Sequence, residues 1–125
     1  MIRHLLAISI SIVFTGLALA QSGETPNAKA KKYHSVLVKR PKPGTLFDRF
    51  YNTWLDTGTL DGLEAFLKAE ADAGKTTEQR LLLAFFYAKQ RDNIGAIEQF
   101  RAALENDPGN ADAWYEKAKI EAKTL

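Results

Sequence analysis

From Thr45 onward, apolar and polar residues recur at three- and four-residue steps, the spacing that returns side chains to one face of a helix. Leu46, Phe47, Phe50, Tyr51, Trp54 and Leu55 trace the first such stripe. Thr45 opens this helix, Asp48 sits three residues on, where a carboxylate accepts free amide protons, and Gly58 ends it. Thr59 is placed to cap a second helix, whose face is Leu60, Leu63, Phe66 and Leu67 and whose end is Gly74. Thr76 and Gln79 offer a capping box to a third, which carries Leu83 and Tyr87 four residues apart. Ala96, Phe100 and Ala103 share one face of a fourth, with Asn93 as its expected N-cap and Asn106-Asp107-Pro108 as its stop. Asn110 caps a last helix whose apolar face is expected at Trp114 and Ala118. The predicted class is all-α, and the small residues among bulky ones let paired antiparallel helices approach closely.

Within the stretch Thr77 to Pro108, Leu83, Ala84, Tyr87, Ala96, Phe100, Ala103 and Pro108 fall at positions 7, 8, 11, 20, 24, 27 and 32 of a 34-residue unit. In this the stretch resembles a tetratricopeptide (TPR) repeat, with one departure: Arg80 stands at position 4, where the family prefers a large apolar residue. A unit begun 34 residues earlier, at Pro43, matches at Leu46, Gly62, Phe66 and Ala69. It departs at Arg49, Thr53 and Gly74, so residues 45–75 read as a degenerate repeat or a helical hairpin acting as an N-terminal cap. After Pro108 the pattern restarts with Ala111, Trp114 and Ala118, while Lys117 and Glu121 stand where the family prefers apolar residues. Residues 110–125 therefore suit either a terminal helix covering the last hairpin or the start of a further repeat. The resemblance implies a short right-handed solenoid, and a way of binding rather than a reaction.

In this family the inner surface of the first helices meets the ligand, at positions 2, 5, 9, 12 and 13. The matching residues of the clear repeat are Glu78, Leu81, Phe85, Ala88 and Lys89, and those of the last helix are Asp112, Tyr115, Lys119, Ala122 and Lys123. The degenerate unit would add Phe47, Tyr51, Trp54 and Leu55. Such a groove, aromatic at its base with lysines to one side, suits a protein segment with bulky side chains and an acidic group. The competing reading is that Leu81 and Phe85 pack under the N-terminal arm. Family members that grip a chaperone C-terminal carboxylate place Lys and Asn at positions 5 and 9; Leu81, Phe85, Tyr115 and Lys119 stand there instead, of which only Lys119 is cationic, so that clamp is not expected.

Ahead of the helices, Met1 to Ala20 has Arg3, an apolar run from Leu5 to Leu19 and Ala18-Leu19-Ala20, the three parts of a secretory signal peptide. The run is shorter than the roughly twenty residues of a bilayer span. Cleavage after Ala20 would send the chain to the periplasm or the exterior. Residues 21–44 read as a flexible basic linker or arm: Gln21 to Lys32 is polar, Tyr33 to Val38 is short, β-branched and apolar and suits either an extended stretch along the helical body or a strand-like segment awaiting a partner, and Lys39-Arg40-Pro41-Lys42-Pro43-Gly44 is turn-rich. The folded domain is then 45–125.

Charge divides along the same line, with +5 between Glu24 and Thr45 and −4 from Leu46 to Leu125. This split suggests self-docking or attraction of Lys29–Lys42 to an anionic envelope surface, and it is too weak for a nucleic-acid partner. The chain has no Cys, and His34 is the one imidazole beyond the leader. No nucleophile with a neighbouring base, no phosphate-cradling Gly loop and no His-Glu metal pair is present, so neither an enzyme nor a cofactor or metal site is expected. Pairs such as Glu70/Asp72 and Asp61/Glu64 read as wet helix surface. About two and a half hairpins leave a thin margin of stability, which points to a marginal monomer, self-association, or a fragment of a longer array. Two functional expectations follow: an exported module that holds a protein or peptide segment in its concave groove, or a structural cap with the first repeats of a longer solenoid and no ligand of its own.

Overall fold

The computed structural model describes residues 23–124, so the signal-peptide expectation for Met1–Ala20 lies outside the described residues. The described residues form six α-helices and no strand: α1 (Ala28–Leu37), α2 (Thr45–Thr57), α3 (Leu60–Gly74), α4 (Thr77–Lys89), α5 (Asn93–Asn106) and α6 (Ala111–Thr124). Consecutive helices stack into a short solenoid, with α4 on α5 the closest backbone pairing. Ala84, Ala96 and Ala103 are fully buried, and Phe100 beside them is too. Small side chains therefore bring the two axes together and one ring fills the space between them.

The extended basic arm is corrected by α1. Asn27 starts this helix: its Oδ1 accepts the Ala30 amide at 2.8 Å, while its Nδ2 donates to the Thr53 carbonyl at 2.8 Å and to Thr57 Oγ1 at 3.0 Å. One residue thus caps α1 and fastens it to the end of α2. Ala30 and Leu37 are fully buried, and the His34 ring lies 5.6 Å from Phe50 and 5.2 Å from Phe66. His34 Nε2 meets Glu70 Oε1 at 2.6 Å, tying α1 to α3. The helix wedges between α2 and α3, which otherwise meet mainly around their shared turn and through Trp54 against Phe66 at 5.0 Å. The hairpin expected from 45–75 is therefore opened by a third helix. Its lysines stay wet, with Lys29, Lys31 and Lys32 all exposed.

The turns follow local chemistry, with small shifts from the expected positions. Gly44 stands before α2 at φ 124°, a backbone that a side chain would strain. Thr59, Thr76 and Asn110 accept the amides of Gly62, Gln79 and Ala113 as N-caps should. α5 is capped by Asp92, whose Oδ1 accepts the Gly95 amide at 2.9 Å, not by Asn93, which is already helical. At the end of α3 it is Lys75, at φ 54°, that turns left-handed, one residue beyond the expected Gly74. Arg80, the outlier of the repeat pattern, reaches the Ala71 carbonyl at 3.2 Å and Gln99 at 3.0 Å, so its guanidinium bridges α3 to α5 where an apolar side chain would only fill space.

Candidate functional site

The inner face is built by α2, α4 and α6, and it carries two depressions rather than one continuous groove. The first, about 240 Å³, has Phe47, Phe85, Phe100, Ala88 and Ile120 at its floor. Its rim carries Asp48, Lys89 and Glu116. Phe85 meets Phe47 edge-on at 6.1 Å and Phe100 at 5.9 Å, so α2, α4 and α5 share one aromatic seam beneath the depression. Lys89 Nζ lies 2.9 Å from Asp48 Oδ1 and 4.9 Å over the Tyr51 ring, which fixes the cation at the rim. Tyr51 in turn accepts a hydrogen bond from Gln90 Nε2 at 2.6 Å.

The second depression, about 290 Å³, joins the α1–α2 loop to the N-terminal ends of α4 and α6. Arg40, Pro41 and Lys42 face Glu78, Leu81 and Asp112 across it. Two cations and two carboxylates thus meet around one apolar side chain.

The expected binding residues divide between these places. Glu78 and Leu81 line the second depression, Phe85 and Lys89 the first. Leu81 and Phe85 are only 2% and 6% exposed, so both serve as floor, whereas Lys89 and Glu78 lie on the surface. Tyr115 and Lys119 line neither depression: Tyr115 is 63% exposed, with Lys119 Nζ 5.2 Å over its ring. Ala113, fully buried, and Ile120 form the covered face of α6, while Trp114 and Ala118 are exposed. The helix is rolled about one residue from the expected register, because its buried contacts come from Ala113 and Ile120 and not from the indole. Trp114 instead donates its Nε1 proton to the Pro108 carbonyl at 2.8 Å.

Other polar groups of the chain hold helices rather than a ligand. Tyr87 donates to Glu64 Oε2 at 2.9 Å, and burial, reinforced by that carboxylate, pushes the phenol up to about 12. Glu24 accepts both the hydroxyl and the amide of Thr59, and those hydrogen bonds hold its carboxyl below the usual carboxylate range. Asn27, Glu24 and the His34–Glu70 pair were missed by sequence reasoning; the signal that could have found Asn27 is an Asn directly before an Ala-Lys run, a helix-start pattern. Among the described residues no cluster of His, Cys, Asp and Glu has metal-binding geometry, and no helix is long and apolar enough to cross a membrane.

Comparison with known families matches residues 77–120, which span α4, α5 and most of α6, to the tetratricopeptide repeat. No curated protein and no solved structure matches the chain.

Proposed function

We propose that this chain holds a segment of a partner protein against the inner face of α2, α4 and α6, a reading supported by the match of residues 77–120 to the tetratricopeptide repeat, a family that generally mediates protein–protein interactions. The observation that carries the reading is the depression over Phe47, Phe85, Phe100 and Ile120, open to solvent and edged by charge. At about 240 Å³ it lies below the roughly 300–1,000 Å³ of small-molecule pockets and suits one bulky apolar side chain of a protein. Lys89 at the rim is already paired with Asp48, and Glu116 stands on the same rim, so the grip rests on the apolar floor rather than on a free cation. Export through the Met1–Ala20 leader would set this binding in the periplasm or outside the cell. The exposed cations between Lys29 and Lys42 would add attraction to an anionic envelope surface, which salt would weaken.

A second reading, a structural cap without a ligand, draws support from the burial of Leu81 beneath the depression shared with the α1–α2 loop. The two part at Ala88, which is half-buried at the floor of the first depression. Filling the depression with Ala88→Trp is expected to abolish capture of a partner from envelope extract while the helical signal is retained. Capture unchanged by Ala88→Trp would refute the binding site, and loss of helicity in that variant would favour the structural role.

A further inference from the structure

The second depression of the inner face holds four charges that no ion pair among the described residues engages. Arg40 and Lys42 stand on its loop side, Glu78 and Asp112 in the first turns of α4 and α6, and all four are exposed. The ion pairs of the described residues lie elsewhere, at His34–Glu70, Arg80–Asp72, Lys89–Asp48, Lys117–Glu121 and Lys119–Glu116. Two cations and two carboxylates therefore face one another across about 290 Å³ without closing on each other. Pro41 and Leu81 lay low-dielectric surface between them, which concentrates the field that runs from the loop to the helix starts. At the first depression, by contrast, Lys89 is already held by Asp48.

We propose, on the reading that the inner face is a groove for a partner segment, that this depression recognises an acid and a base side by side on that segment and so fixes the direction in which it lies. A group of one sign is drawn by one side of the depression and repelled by the other. An acid turned to Arg40 and Lys42, with a base turned to Glu78 and Asp112, is drawn at both ends. The spacing follows from α4, which gives Glu78 and Leu81 to this depression and Phe85, Ala88 and Lys89 to the other. The centres of these two sets lie roughly seven residues, or about 10 Å, apart along the helix. An extended segment advances about 3.3 Å per residue, so the charged pair stands about three residues from the bulky apolar one. Because the four charges are exposed, they add discrimination more than affinity. The partner is thus a segment with a bulky apolar residue over Phe85 and, beyond it, an acid beside a base in one fixed order.

The probe is a library of short peptides with Phe fixed near the middle and every other position random, selected on the purified chain. Peptides retained by the wild type are expected to carry an acid and a base together on one side of Phe, in one order. By fluorescence anisotropy, synthetic peptides in that order should bind about three- to tenfold tighter than the same peptides with acid and base exchanged. The difference should shrink at about 1 M salt, where screening acts within roughly 3 Å. Glu78→Gln/Asp112→Asn should remove the preference for the base, and Arg40→Ala/Lys42→Ala the preference for the acid. Reversing the field, with Arg40→Glu/Lys42→Glu and Glu78→Lys/Asp112→Lys in one chain, should reverse the selected order at unchanged helicity. Peptides selected by the wild type and lost on Ala88→Trp, yet random in charge or of one sign only, would overturn the proposal and leave the groove standing. An order preference that persists in both neutralised variants would overturn it too. No selection at all, or peptides kept equally by Ala88→Trp, would overturn the groove and this proposal together.

Discussion

Leu37 decides whether the segment before the repeats is tether or core. Its side chain is fully buried at the end of α1, while Val36 next to it is 50% exposed on the same helix. Leu37→Ala removes three buried carbons and leaves a cavity where α1 packs, a change that costs about 2–5 kcal/mol. Val36→Ala loses little buried area and should stay within about 0.5 kcal/mol of the parent. For a body of about one hundred residues each kcal/mol moves the melting midpoint by roughly 4–8 °C, so Leu37→Ala should melt about 8–40 °C lower. Circular dichroism at 222 nm during thermal and urea unfolding measures both variants. Because α1 is wedged between α2 and α3 through His34, Phe50 and Phe66, the loss should fall on the whole transition rather than appear as a separate early melting of α1. Equal stability of Leu37→Ala and Val36→Ala, or a first transition confined to one helix, would refute the docking of α1.

The left-handed Lys75, at φ 54°, strains a side chain that glycine would relieve, so Lys75→Gly should raise stability by up to about 1 kcal/mol, read from the urea midpoint; no gain would mean that the turn is not strained. Tyr87, pushed up to about 12, binds its proton more tightly folded than unfolded. Its contribution is therefore complete below the unfolded value of about 10 and is lost as pH rises toward 12. Absorbance titration should show one phenol ionising near 12 in wild type and missing in Tyr87→Phe, which should also cost about 1 kcal/mol through the lost hydrogen bond to Glu64.

The clear repeat was legible in the sequence because its contacts are short-range and stereotyped. Ala84, Ala96, Phe100 and Ala103 carry the pairing of α4 and α5 by size and spacing alone, and each is buried as the pattern requires. α1 was not legible for the opposite reason. Its buried face is Ala30 and Leu37 with parts of Tyr33 and His34, set among exposed lysines, so no continuous apolar stripe announces it. What stabilises it is tertiary: the Asn27 side-chain amide on Thr53 and Thr57 and the hydrogen bond between His34 and Glu70, all more than twenty residues away. The shift from Asn93 to Asp92 as cap reflects two adjacent residues of equal capping ability, between which sequence cannot choose. On the inner face the repeat pattern set Leu81, Phe85 and Lys89 along one groove; the structure puts Leu81 at one depression and Phe85 with Lys89 at another, a division that repeat positions do not encode. The roll of α6 hid Glu116 and Ile120, because the pattern assigns Trp114 to the buried side and the indole finds its partner at Pro108 instead.

The central claim is that the depression between α2, α4 and α6 receives an apolar side chain from a partner segment. Selection from a random peptide library on the wild-type chain, repeated on Ala88→Trp, tests it most directly. Peptides sharing one bulky apolar residue, enriched on the wild type and lost on Ala88→Trp, are the predicted result. No enrichment, or peptides retained equally by Ala88→Trp, would contradict it.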